Sequence, residues 1–153
     1  MNTVEIKEIV GKIQQYCAYQ DRCHQDVEKK LHSYHLEVET REYILTKMIE
    51  DGFLNEERFA LSFARGKHRY KNWGRKRIEM ELKMREVSSY LIKKALLEIE
   101  DEYMDHFEQY SKHVWDSQKE NDVVKKRKKV GDALLRKGYE SSMVYDFIYN
   151  QEE

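Results

Sequence analysis

The stretch Asp51–Leu96, DGFLNEERFALSFARGKHRYKNWGRKRIEMELKMREVSSYLIKKAL, decides the fold. Asp51-Gly52 is a helix stop, because glycine takes the left-handed conformation without a Cβ penalty. Asn55 follows as an N-cap, with Glu56 and Glu57 favourable at a positive helix end. Phe59 and Phe63, flanked by Ala60 and Ala64, make a buried stripe. The chain breaks around Asn72–Gly74, and Ile78 and Leu82 then lie four apart on a second helix. Val87 and the cap Ser88 open a third helix, Ser89–Glu100, with Leu91, Ile92, Ala95, Leu96 and Ile99 inward. One turn, two caps and three helices therefore fill fewer than fifty residues.

The flanking segments repeat this order. Upstream, Val4–Tyr19 reads as a helix with Ile6, Ile9, Ile13, Tyr16 and Cys17 on one face. Val27 and Leu31 mark a short second helix, and Tyr43, Ile44, Leu45, Met48 and Ile49 a third. Downstream, Tyr103, Phe107, Tyr110, Val114 and Trp115 give a long helix, followed by Val130 and Leu134. Ser141 or Ser142 is expected to cap a last helix carrying Met143, Val144, Phe147 and Ile148. The landmarks Val27, Ile78 and Val130 correspond. So do Leu31, Leu82 and Leu134; Leu36, Val87 and Tyr139; and Ile44, Ala95 and Phe147. The period is 51 or 52 residues. The expected architecture is all-α: three tandem three-helix, helix-turn-helix-like repeats, 1–52, 53–100 and 101–153, in an elongated, curved array.

Composition agrees with this. The 153 residues contain no proline and six glycines, which removes the usual punctuation of loop-rich and β-rich folds. Charged residues at 37% against 40% apolar leave a thin core, suited to an extended helical protein. No run of about eighteen apolar residues is present, and MNTVEIKEIVGKIQQY is unlike a secretory signal. Two cysteines, Cys17 and Cys23, make no disulfide framework, so a cytoplasmic protein with reduced thiols is expected.

A net charge of −1 argues against binding nucleic acid through bulk charge, but a local patch is another matter. Between Arg65 and Arg77 stand seven Lys/Arg, one His and no acid. Arg65, Lys67, Arg69, Lys71, Arg75, Lys76 and Arg77 can each neutralise a phosphate. Tyr70 and Trp73 lie among them, able to stack on unpaired bases or a partner surface. Trp73, at a helix start, is equally suited to packing on its own unit's core. A second cluster, Lys125, Lys126, Arg127, Lys128 and Lys129, then Arg136 and Lys137, occupies the corresponding part of the third repeat. Both are candidate nucleic-acid or filament contacts, with solvated helix faces as the plain alternative. The acids concentrate at Glu37–Glu57 and Glu98–Glu108.

GFLNEERFA, the basic segment ending NWGRKRI, then EL and a Ser-capped LIKKAL, resemble the core of the RecX family, regulators of the bacterial RecA recombinase. The matching positions are Gly52, Leu54, Asn55, Arg58, Phe59, Ala60, Gly74, Ile78, Glu81 and Leu82. The resemblance spans Glu50–Leu97. It implies three tandem three-helix units, binding along or inside a RecA–DNA filament, and inhibition of recombinase activities in DNA repair and recombination. The implied partners are the filament and single-stranded, and also double-stranded, DNA, with the protein a monomer that needs no cofactor. One departure concerns turns. The family tends to place glycine before the hydrophobic residue that opens each third helix. This chain has Gly138 there in the third unit, but Glu86 in the second and His35 in the first. Those turns must strain a non-glycine residue or use another cap geometry.

Other chemistry is set aside. Cys17, Cys23, His24, His32 and His35 lack the paired spacing of a structural zinc site, and no metal is expected. No phosphate loop, nucleophile elbow or HExxH occurs, so the chain is not expected to be an enzyme. Two alternatives to the filament regulator remain open. One is a helix-turn-helix DNA-binding module reading sequence with Arg75–Lys83. The other is a protein-interaction array with no DNA affinity.

Overall fold

The computed structural model describes residues 2–151, which form nine helices and no strand. They are α1 Thr3–Tyr19, α2 His24–His32, α3 Val38–Glu50, α4 Glu56–Lys71 and α5 Arg75–Met84. α6 Ser89–Glu98, α7 Glu100–Ser117, α8 Val123–Arg136 and α9 Ser141–Tyr149 complete the chain. No described helix is long and apolar enough to cross a membrane. The all-α expectation holds, and the helices come in successive groups of three.

Local signals explain most boundaries. The Asn2 side chain accepts from Glu5 N at 2.9 Å to start α1, and that of Asn55 accepts from Arg58 N at 2.9 Å to start α4. Ser88 caps α6 through Leu91 N at 3.3 Å, and Asp122 caps α8 through Val124 N at 2.9 Å. Two boundaries differ from expectation. The helix expected over Ser89–Glu100 is divided at Ile99, which ends α6 and opens α7 while remaining fully buried. At α9 the N-cap is Glu140, not Ser141 or Ser142. The Glu140 carboxylate is engaged elsewhere, as described below.

α2 packs against α1 and α3; α4 and α5 pack against α6; and α8 bridges α7 and α9. Two apolar clusters result. One gathers Ile9, Ile13, Val27, Leu31, Ile44 and Met48 from α1–α3, with Leu54 beyond them. The other is continuous from α4 to α9 and also takes in Cys23. The landmark positions fall in these clusters: Val27, Ile78, Val130, Leu31, Leu82 and Leu134 are all fully buried. Leu36, Val87 and Tyr139 are buried as well. Phe147 is only half-buried, and Val144 and Ile148 take the inward positions of α9. Tyr43 and Ile49 turn out to solvent, and Phe63 is half-buried while Ala60 and Ala64 are enclosed. The α4 stripe thus runs through small residues because α6 lies close against it.

The turn after each middle helix uses a left-handed residue: His35 at φ 55°, Glu86 at φ 60° and Gly138 at φ 98°. The chain therefore keeps the geometry without the glycine in two of three turns. Each such non-glycine residue costs about 1–2 kcal/mol.

Gly138 does more than turn. Gly74 N donates to Lys137 O at 2.7 Å, and Lys76 N donates to Gly138 O at 3.0 Å. The positive N-terminus of α5 is thereby set on the negative C-terminus of α8, so unsatisfied donors of one helix meet unsatisfied acceptors of the other. A Cβ on Gly74 would lie 2.4 Å from the Gly138 carbonyl carbon, and a Cβ on Gly138 would lie 2.4 Å from the Arg77 Cβ. The backbones approach this closely only because both positions lack a side chain.

We predict that Gly74→Ala destabilises the fold by about 1–3 kcal/mol or more, because the neighbour is backbone and cannot step aside. Gly66→Ala, in the interior of α4 with nothing within 4 Å of its Cβ, should be neutral or stabilising. Urea midpoints for the two variants check this, and equal midpoints would refute the close-contact account.

Candidate nucleic-acid interface

The basic stretch Arg65–Arg77 is bent by its own turn. Lys71 is the last residue of α4, and Asn72 takes a left-handed conformation at φ 61° that ends the helix. Trp73 N donates back to Lys67 O at 3.1 Å, and Gly74 caps α5. The seven cations are thus shared between the last turns of α4 and the first turn of α5. The bend places the half-buried Trp73 ring edge-on to Phe63, at 6.0 Å between centroids. Lys67 Nζ and the Arg77 guanidinium lie 5.1 and 4.3 Å from the Trp73 ring centre. Trp73 is both a core contact and a platform for two cations.

Local acids are absent, but tertiary ones are not. Arg65 pairs with Glu98 at 3.4 Å. Arg69 grips Glu102 with two hydrogen bonds of 2.8 Å, which hold the Glu102 carboxyl below its ordinary range. The Arg75 side chain reaches Glu140 at 2.9 Å and stacks 3.9 Å from the centre of the buried Tyr103 ring. Tyr103 Oη accepts from Arg75 N at 2.9 Å and donates to Glu140 at 2.5 Å. Arg65, Arg69 and Arg75 are therefore committed to α6, α7 and the start of α9.

Lys71, Lys76, Arg77 and the exposed Tyr70 are left outward, with Lys67 beside them. A further cation joins them: Lys137 Nζ donates to Lys71 O at 3.0 Å. Burial, then Arg77 and Lys71, hold the Lys137 ammonium below its ordinary range. Lys71, Arg77 and Lys137 thus form a like-charged group drawn from α4, α5 and the turn after α8. An anion would relieve their mutual repulsion.

The second predicted cluster is dispersed. Five consecutive helix positions, 100° apart, sweep right round the axis. Lys126 lies 4.5 Å from the Trp115 ring centre, and Arg127 Nε donates to Ile148 O at 3.2 Å. Lys128 pairs with Asp132 at 3.2 Å and Lys129 with Glu120 at 2.9 Å. Lys125 points to solvent. It is Lys137, about 18 Å further along α8 and its turn, that meets the first cluster.

Comparison with known proteins bears on this arrangement. The family model for RecX, second three-helix domain, matches residues 55–96, which are α4–α6 with the first basic cluster. The regulatory protein RecX of Mycolicibacterium smegmatis is 29% identical over 111 residues, covering 69% of this chain and 58% of that protein. The chain is similar to RecX proteins, and the match to the family model lies in its central group of helices. Its fold also superimposes on the crystal structure of RecX from Lactobacillus salivarius, with a TM-score of 0.79 over 97% of this chain and 96% of that one, at 21% identity. A second crystal structure of regulatory protein RecX matches with a TM-score of 0.80 over 95% of this chain and 72% of that one, at 22% identity. The chain spans little more than half the length of the Mycolicibacterium relative that it matches.

The groups set aside in the sequence are placed as follows. Cys17 and Cys23 are buried free thiols, and burial pushes the Cys23 thiol up to about 11, away from a reactive thiolate. His24 pairs with Glu56 at 3.2 Å, while His32 and His35 are exposed. Among the described residues no group of three or more His, Cys, Asp or Glu is placed to hold a metal ion.

What the sequence reading missed lies beneath the basic face. His68 is fully buried in α4. Its Nδ1 donates to Trp73 O at 2.9 Å, its ring stacks 5.1 Å from that of Tyr103, and its Nε2 has no partner among the described residues. The His106 ring lies 4.3 Å away and its Nε2 donates to Asn72 Oδ1 at 2.8 Å. Burial holds both imidazoles below the ordinary histidine range, with Arg75 and Arg69 adding to the effect at His68 and His68 itself at His106. The helical period that would flag His68 was present, since it stands four residues after the buried Ala64.

The folded state therefore prefers neutral imidazole at position 68. Its contribution to stability is complete above the unfolded-state value of about 6.5 and is lost as pH falls below it, by at most about 1.4 kcal/mol per pH unit for one proton bound only by the unfolded chain. We predict a falling urea midpoint between pH 7.5 and 5.5, with a shallower dependence in His68→Phe. An unchanged slope in that variant would remove His68 as the cause.

Proposed function

We propose that this chain is a non-enzymatic regulator of a RecA-type recombinase, binding the recombinase filament and its DNA and inhibiting recombinase activity by occupancy. Three repeats, 1–52, 53–100 and 101–153, would span successive sites on the filament as a cytoplasmic monomer. The observation that carries the reading is the group Lys71, Arg77 and Lys137, with no ion pair among the described residues, beside the exposed Tyr70 in a chain whose central helices match the RecX family model. Lys67, Trp73 and Lys76 extend that face. Arg65, Arg69 and Arg75 hold it in shape through their carboxylates, while Lys125–Lys129 form a secondary surface.

The sequence-reading alternative, with α5 in a major groove, fits less well. A recognition helix presents its N-terminal residues to base edges. At α5 the amides of Gly74, Arg75 and Lys76 are taken by Lys137, Tyr103 and Gly138, and Gly138 covers Arg77 from the same side.

The test is the ATPase of the cognate recombinase on single-stranded DNA with substoichiometric protein added. Inhibition is expected, and no inhibition at any ratio would sink the mechanism. For DNA affinity, Lys71→Ala with Arg77→Ala should lower the slope of log affinity against log salt by about two. An unchanged slope with inhibition intact would favour a protein-interaction array without DNA contact.

A further inference from the structure

An open groove of about 420 Å³ runs between the end of α1 with the start of α2 and the outer face of α4. Its α4 wall carries Gly66, Lys67, Tyr70 and Lys71, and Phe59 and Phe63 lie at its base. Asp21 and Asp26 stand on the opposite wall. The volume is that of a small-ligand site. One wall carries ammonium groups, the other carries the two carboxylates together with Arg22, and Arg85 also lines the groove.

We propose that this groove receives an unstacked nucleobase of a single-stranded nucleic acid, with the adjoining phosphates on Lys67, Lys71, Arg77 and Lys137. The idea rests on the nucleic-acid reading of the basic face and adds a base-binding site to it. Four observations carry it. Tyr70 is 82% exposed at the rim, so one of its aromatic faces is free for stacking. Asp21 accepts from Arg58 at 2.7 Å and Asp26 from Cys23 N at 3.2 Å. Each carboxylate keeps further lone pairs for the N–H groups of a base. The lysine wall leads directly to Lys137, which bonds Lys71 O, so a strand leaving the groove meets the cation group at once.

The fourth observation is Gly66. It interrupts the interior of α4, where alanine would be the better helix former, and its Cβ would meet nothing within 4 Å. Internal packing does not ask for a glycine there. A side chain at that position would project into the groove and fill it. An acidic peptide would meet the same cations, but it brings further carboxylates toward Asp21 and Asp26 and offers Tyr70 no base plane to stack on.

The test compares a 20-nucleotide oligothymidylate with an abasic strand of the same length, by fluorescence anisotropy. The wild-type chain should bind the thymidylate about tenfold more tightly than the abasic strand. Gly66→Leu, which changes no charge, should bring thymidylate binding down to the abasic level while leaving abasic binding unchanged. Tyr70→Ala, at an exposed site, should act in the same direction. Equal binding of both strands by the wild type overturns the base site and leaves the basic face intact. Binding of neither strand overturns both readings. Loss of both strands in Gly66→Leu also overturns the base site, as does displacement of oligothymidylate by polyglutamate of equal charge.

Discussion

The contact of Gly74 with Gly138 sets the geometry of everything around it. Two helix termini are brought backbone to backbone, and the amides at the start of α5 find acceptors on the turn that ends α8. With the helix ends held at that distance, Tyr103 lies under the first turn of α5 and bridges the Arg75 amide to Glu140. The same approach brings Lys137 onto Lys71 and close to Arg77. A hydrogen-bond network that satisfies buried polar groups on one side thus creates an unsatisfied cluster of charge on the other. The fold and the candidate interface share one cause.

The equivalent junction one repeat earlier is built differently. Cys23 stands where Gly74 stands, and Glu86 where Gly138 stands, in a period of 51 or 52 residues. Both positions carry side chains, where the tight junction has none. Among the described residues no backbone hydrogen bond joins Cys23 to Glu86; the link is Gln25 Nε2 donating to Met84 O at 3.4 Å, with Cys23 buried in the larger core. The looser junction has a consequence for function. It leaves the open groove beside α4, whereas the tight junction closes the second and third helix groups over one continuous core.

Charge in this molecule is organised by tertiary distance. The net charge of −1 comes from separated regions of sign. Glu98, Glu102 and Glu140, distant in sequence from Arg65, Arg69 and Arg75, meet them in space and occupy their guanidinium groups. What remains outward is a smaller cationic set than the sequence offers, and it is supplemented by Lys137. Exposed ion pairs of this kind add little stability each. Their larger effect is to decide which cations remain available to a ligand.

Much was determined by the sequence itself. Four apolar landmarks at a spacing of 51 or 52, caps at Asn55 and Ser88, and the absence of proline specify an all-α chain of three-helix groups, because helix periodicity and capping are local properties. Register with Gly138 marked His35 and Glu86 as turn positions and left open strain or another cap geometry; the structure takes the strained left-handed form at both. The spread of Lys125–Lys129 around α8 follows from the helical period alone. The tertiary structure alone decided which basic residues meet distant acids and that Trp73 is part core. It also decided that His68 is buried beside His106, and that the cap of α9 is Glu140. Each of these depends on which helix end meets which. That choice is made by backbone approach at Gly74 and Gly138, which no local pattern along the chain encodes.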